Sequence, residues 1–295
     1  MKPLILDFDG SVLPLPDEQR LRLHDWQEEL RFGCKTGALD KLEHAIGGAL
    51  DKLGYAIGST LAAEHGTVFL GSGDYHHLSH LLIRRYAGLG QPLQVVLFDN
   101  HPDNMRYPFG IHCGSWVWHL SRLPFVARVH VLGITSRDVE AAHGWENHVR
   151  NLRSGKVRYW CVGRNLDWMK RLGIEHSRSF PSMQVLLKVF GEYIVTTAEP
   201  VYLSIDKDVL APEDAHTNWD QGVMRLAELQ AAIAMLKGRI VGSDVTGEVS
   251  VYRYQSRFKR LLSGLDGQPE IDEIDLRRWQ AEHQRINQQL LEWLT

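Results

Sequence analysis

Short apolar runs alternate with amphipathic stretches along this chain. Strands are predicted near residues 4–9, 67–72, 92–98, 128–134, 157–163, 201–206 and 239–244, each bounded by polar or turn-forming residues. Between most of them apolar residues recur at three- and four-residue steps. That period predicts helices from Asp40 to Tyr55, His77 to Tyr86, Met183 to Tyr193 and Leu226 to Lys237. Leu276, Trp279, Ile286, Leu290 and Trp293 continue the pattern in a C-terminal helix over about 274–294, which packs on its own domain or makes a subunit contact. Strand and helix in alternation predict an α/β fold with a central, mostly parallel sheet covered by helices. No linker, repeat or low-complexity stretch interrupts the pattern, so residues 1–295 are expected to form a single domain.

Polar residues gather just after the strands. Asp9, Asp74 with His76 and His77, Asp99 with His101 and Asp103, Arg137 and Asp138, Asn165 and Asp167, Asp206 and Asp208, and Asp244 with Glu248 all follow an apolar run. Open parallel sheets bind ligands outside the carboxyl ends of their strands, so these groups are expected to meet on one edge.

Composition narrows the partners. With 44% apolar and 23% charged residues and a net charge of −3, the chain lacks the basic field that phosphate-backbone binding needs, and nucleic acid is not expected. Cys34, Cys113 and Cys161 are widely spaced and form no CxxC pair, which argues against a disulfide framework or thiolate zinc site. The N-terminus enters a strand directly, and no apolar run approaches the roughly 18 residues of a membrane span. A cytoplasmic location and no membrane contact are the expectation.

The clusters carry a recognisable chemistry. A strand's side-chain period of two puts Asp99 and His101 on one side, and likewise Asp206 and Asp208. Pro102 cannot continue a central strand, so Asp103 is expected on the turn beyond. His76 or His77 would open the following helix. Carboxylates with two imidazoles suit Mn²⁺ better than Zn²⁺, and two such ions ~3.5–4 Å apart can activate water for hydrolysis.

At these residues the chain resembles the ureohydrolase superfamily, the arginases and agmatinases. The resemblance rests on Gly71-Ser-Gly-Asp-Tyr-His76, Asp99-Asn-His-Pro-Asp103, Asp206-Lys-Asp208 and Glu248 in that order. It implies a three-layer α/β/α sandwich and two Mn²⁺ per chain. His76, Asp99, Asp103 and Asp206 would hold one ion, and Asp99, His101, Asp206 and Asp208 the other. Tyr75 departs from the family motif, so His77 is the alternative to His76; the latter aligns Leu78-Ser-His-Leu-Leu82 with the family helix. In the same way His112 matches the proton-transfer histidine, and Glu248 the glutamate that grips the substrate guanidinium, although Gly247 breaks the spacing from Asp244. The resemblance also makes a homo-oligomer an expectation.

The segment Asn104-Met-Arg-Tyr-Pro-Phe-Gly-Ile111 is shorter than the matching loop of enzymes for free arginine. It is similar to the peptide arginases, which convert arginine residues of ribosomally made precursor peptides to ornithine with release of urea. Asp9, closing the first strand, is a candidate substrate contact. Free arginine, agmatine or another small guanidine is the alternative substrate. A metal-dependent deacetylase and a haloacid-dehalogenase-like phosphatase, read from Asp7-Phe-Asp9, are the competing activities.

Overall fold

Nine strands, all parallel, form the central sheet of a computed structural model that describes residues 2–52, 66–265 and 271–294. In chain order the strands are β1 Leu4–Asp7, β2 Gln19–Arg22, β3 Gly33–Cys34, β4 Val68–Phe69, β5 Leu93–Phe98 and β6 Ile111–His112, then β7 Val126–Ile134, β8 Val157–Val162, β9 Arg178–Phe180, β10 Val201–Asp206 and β11 Ile240–Thr246. Their order across the sheet is β2-β1-β4-β11-β10-β5-β7-β8-β9, while β3 and β6 form a separate antiparallel pair.

The strand period of two divides the core between the sheet's faces. Leu4, Leu6, Val95, Leu97, Val129, Val131 and Tyr202 join one apolar cluster with the helices Thr36–Lys52 and Ser79–Arg84. Ile5, Val96, Phe98, Leu132, Leu203 and Ile205 join another with Met183–Ile194, Leu226–Leu236 and Glu273–Leu294. The result is the expected three-layer α/β/α sandwich. Ser182 caps one of these helices through the Val185 N–H at 3.4 Å, and Glu228 closes the start of another on the Arg225 N–H at 2.9 Å.

Central strands matched the reading of the sequence because both of their faces are buried, which leaves an unbroken apolar run. The edge strands β2, Gln-Arg-Leu-Arg, and β9, Arg-Ser-Phe, were missed because only one side of each pairs and their side chains are largely polar. Residues 53–55, the end of the helix predicted to reach Tyr55, lie outside the described residues. The helix predicted from His77 begins earlier, as a 3₁₀ turn over Gly73–Leu78. Among the described residues no helix is long and apolar enough to cross a membrane.

The C-terminal helix Glu273–Leu294 is fastened to the sheet by a buried polar staple as well as by Ile286 and Leu290. Lys207, just past β10, donates to Glu248, just past β11, and to Asn287 Oδ1 at 3.0 Å. Asn287 Nδ2 donates back to Glu248 Oε1 at 2.7 Å, and His283 Nδ1 stands 3.3 Å from the other carboxylate oxygen. Although burial opposes ionisation, the Lys207 charge and His283 hold the Glu248 carboxyl down at about 2.

A buried ion pair is costly to break from one side, because the surviving charge is left unpaired. Lys207→Met is therefore expected to lower stability by about 3–5 kcal/mol in urea denaturation. The double variant Lys207→Met/Glu248→Gln is expected to recover at least half of that loss. A double variant no more stable than the single one would show that the charge pair is not what holds the helix.

Candidate metal centre

The two Asp-containing motifs are built alike, though not as strand alternation predicts. β5 ends at Phe98, and Asp99 Oδ1 then accepts the His101 N–H at 2.6 Å. β10 ends at Asp206, whose Oδ1 accepts the Asp208 N–H at 3.0 Å. Each aspartate thus spends one oxygen on closing its own turn, as Asx turns do, and has Oδ2 left to face the neighbouring chain. Pro102 stops the strand geometry as expected, and Asp103 takes a left-handed backbone with φ +46°. Aspartate tolerates that conformation, at a cost, better than most residues.

These turns bring the six residues together on the carboxyl edge of the sheet. His76 Nδ1 lies 3.2 Å from Asp99 Oδ2, 3.1 Å from Asp103 Oδ2 and 3.3 Å from Asp206 Oδ2. His101 Nδ1 lies 2.9 Å from Asp208 Oδ2 and 3.7 Å from Asp99 Oδ1. His76, Asp99 and Asp103 form one group able to hold an ion, with donor atoms within 4.8 Å of one another, and Asp99, His101 and Asp208 form a second. Asp99 is common to both. His77 is turned away, its Nε2 3.9 Å from Cys34 Sγ, and burial drives its pKa well below the ordinary value.

The hydrogen bonds around the cluster define what it lacks. Asp244 receives Tyr202 Oη–H at 2.7 Å, Ser79 Oγ–H at 3.0 Å and Ser204 Oγ–H at 2.7 Å. With its own proton given to Asp244, Ser204 can only accept from His76 Nε2, 3.1 Å away. In a neutral His76 ring the bare nitrogen is then Nδ1, the one facing three carboxylates. Trp116 Nε1 supplies Asp103 Oδ2 at 2.7 Å, but the buried Asp99 Oδ2 receives no hydrogen bond.

Lone pairs and anionic oxygens that converge out of water need a positive charge between them. Without one, burial and the charges of Asp103 and Asp208 push Asp99 well above the usual carboxylate range, and burial with the charge of Asp206 raises Asp208 to about 6. Against the opposing effect of burial, the surrounding carboxylates raise both His76 and His101 well above the ordinary imidazole value. A donor set of four carboxylates and two imidazoles fits hard, oxygen-preferring divalent cations.

All six residues floor one cavity of about 550 Å³, which His112 also lines. The His112 ring stacks on Phe32 at 5.7 Å and meets Tyr107 edge-on at 4.1 Å. Its Nδ1 accepts the Gly114 N–H at 2.9 Å, and burial lowers its pKa to about 4. Gly114 is required there, since a Cβ would sit 2.9 Å from His112 Cε1.

Two expected residues stand elsewhere. Glu248 was to grip the substrate, but its carboxylate is committed to Lys207 and Asn287 and does not line the cavity. Gly247 turns the chain at φ +89°, where a Cβ would fall 2.4 Å from Asp206 Oδ1, and Glu248 emerges beyond that turn, away from the cavity. Asp9 was a candidate substrate contact, but it binds buried Arg31 at 3.3 Å and the Ser250 hydroxyl at 2.8 Å. Asp7, the nucleophile of the phosphatase reading, pairs with Arg20 at 3.1 Å, and neither aspartate lines the cavity.

Conversely, Trp219 and Asp220 line it, and Asp220 Oδ1 lies 2.7 Å from His101 Nε2. Neither was singled out from the sequence, because the segment after Asp208 carries no strand signal and a lone Trp-Asp step has no distinctive spacing. Arg137 and Asp138, noted only as polar residues after a strand, also line the cavity.

Comparison with known proteins agrees with this architecture. An uncharacterized protein of Thermotoga maritima is 30% identical over 189 residues, which cover 64% of this chain and 60% of that protein's length. Among solved structures, formimidoylglutamase from Bacillus subtilis subsp. subtilis str. 168 superposes with a TM-score of 0.55 at 13% identity, over 100% of this chain and 87% of that one. An arginase from Bacillus subtilis gives 0.54 at 14% identity, covering 99% and 97%. Proclavaminate amidino hydrolase from Streptomyces clavuligerus gives 0.52 at 16%, covering 96% and 92%. At such identities the superpositions speak for the fold alone. The family model for the arginase family matches residues 17–256, most of the chain, and the protein therefore belongs to the arginase family.

Proposed function

We propose that the chain is a manganese-dependent guanidino hydrolase whose substrate is an arginine residue within a peptide, converted to ornithine with release of urea. The observation that carries this reading is the convergence of His76 Nδ1 with Asp99, Asp103 and Asp206, each 3.1–3.3 Å away, in the lining of an open cavity. His76, Asp99, Asp103 and Asp206 would hold one ion, and Asp99, His101, Asp206 and Asp208 the other. When bound, two such ions supply a water of lowered pKa and a Lewis acid for attack on the guanidinium carbon. The oxygen-rich donor set favours Mn²⁺ over Zn²⁺.

The remaining residues position the reacting groups. With its Nδ1 taken by the Gly114 N–H, neutral His112 carries its proton on Nε2, a hydrogen-bond donor that would hold the departing amine, while the proton that amine takes up comes from the attacking water. A guanidinium stays charged at neutral pH and wants a carboxylate partner. With Glu248 committed to Lys207, we assign that contact to Asp138 on the cavity wall. The peptide assignment is supported by the short 104–111 loop, where Phe109 stays 57% exposed beside the cavity-lining Tyr107.

Manganese-loaded protein incubated separately with arginine-containing peptides and with free arginine is expected to remove CH₂N₂ from the peptide by mass spectrometry and to release urea. Turnover of the free amino acid alone would overturn the peptide assignment. Asp206→Asn is expected to lower kcat by at least about 100-fold with loss of bound manganese. His112→Ala, by contrast, should cost about 10²–10⁴-fold in kcat at unchanged metal content.

Asp138→Asn separates the two carboxylate assignments. A charge-assisted hydrogen bond contributes ~1.5–3 kcal/mol, so kcat/KM is expected to fall about 10- to 100-fold, chiefly through KM. Glu248→Gln, which weakens the staple, is expected to lower the unfolding midpoint with a smaller change in KM. The reverse pattern would return the substrate contact to Glu248.

A further inference from the structure

We propose that Asp220 is a positioning residue for the metal centre, its carboxylate fixing the His101 ring through Nε2 so that Nδ1 is the lone pair presented to one ion. The inference rests on the two-ion reading above. His101 lies between two carboxylates, with Asp220 Oδ1 at 2.7 Å from Nε2 and Asp208 Oδ2 at 2.9 Å from Nδ1. A neutral imidazole offers one donor and one acceptor. With the proton on Nε2 facing Asp220, the lone pair on Nδ1 is aimed at Asp208 and Asp99, and a metal ion bound between them would satisfy both sides.

Asp220 is itself held in place. Asn100 Nδ2 donates to its backbone carbonyl at 2.9 Å and to its Oδ2 at 3.2 Å. Asn100 Oδ1 in turn accepts from Thr135 Oγ1 at 2.5 Å and from the Thr135 N–H at 3.1 Å, while the Asn100 N–H donates to Asp208 Oδ1 at 3.0 Å. One asparagine inside the Asp99-Asn-His101 motif therefore aligns the outer carboxylate, the imidazole and the inner carboxylate. Packing does not explain the contact, since the Asp220 side chain is 68% exposed and that of His101 only 17%.

The two imidazoles are supported differently. His76 Nε2 is held by the buried Ser204–Asp244 pair, whereas His101 relies on a carboxylate open to solvent. Partners of this kind fix ring orientation and raise ligand basicity, and their loss typically weakens metal affinity by about 10- to 100-fold. The effect should fall on the ion next to His101 alone.

Isothermal titration of the metal-free full chain with MnCl₂ tests this. For Asp220→Ala, one of two manganese ions is expected to bind about 10- to 100-fold more weakly while the other is unchanged. Asp220→Glu is expected to restore most of the affinity, and the unfolding midpoint of the metal-free protein should not move. In a His101→Asn background, Asp220→Ala is expected to add no further loss. Two ions bound as tightly as in the unsubstituted chain would overturn the assignment, as would an undiminished loss in the His101→Asn background. An unsubstituted chain that binds no manganese would sink this inference together with the proposed function. One that binds two ions yet hydrolyses no guanidine would sink the function alone.

Discussion

Everything at the carboxyl edge of this sheet answers to one electrostatic problem, the burial of four carboxylates against two imidazoles. In a low-dielectric interior such a group is unfavourable unless each charge is paired and each polar atom is satisfied. The protein satisfies all but a chosen few. Asp244 absorbs three hydroxyl donors, Ser204 fixes the His76 ring, and Trp116 caps an oxygen of Asp103. What is left converges on His76 Nδ1 and on the unbonded oxygen of Asp99, so the deficit of positive charge is local rather than spread along the sheet edge.

The fold delivers these groups through backbone turns. Because every strand of the large sheet runs the same way, β4, β10 and β5 all release their chains on one edge, and the 3₁₀ turn after β4 sets His76 opposite both aspartate motifs. Asp99 and Asp206 each use one oxygen as a turn acceptor, which fixes the direction of the other. Groups fixed in this way would need little ordering to bind an ion, since the conformational cost has been met during folding. The left-handed Asp103 is where that cost is most visible in the backbone.

The central strands and the order of the metal-type motifs were legible in the sequence because burial on both faces and short Asp/His spacings leave local signals. Three features were not. Strand alternation put Asp99 beside His101 and Asp206 beside Asp208, but both pairs are placed by Asx turns, which the same spacing permits and periodicity cannot distinguish. Glu248 had the right residue type in the right order, but its partner Lys207 lies 41 residues away and Asn287 lies 39 away, so only the fold exposes the pairing. Asp220 acquires its meaning from His101 and Asn100, more than a hundred residues earlier in the chain.

The displacement of Glu248 also bears on substrate choice. The proposed reaction needs a carboxylate near the six-residue cluster to hold the guanidinium, and Glu248 does not supply it. Here Gly247 turns that side chain into the staple that docks the C-terminal helix, and the carboxylates remaining in the cavity beyond the six are Asp138 and Asp220 on its wall. Asp220 is already engaged by His101 and Asn100, which leaves Asp138, beside Arg137 in the cavity lining, as the carboxylate that the proposed function gives to the guanidinium. On the proposed reading an arginine inside a peptide brings no free ammonium or carboxylate to be matched, whereas a free amino acid would need partners for both.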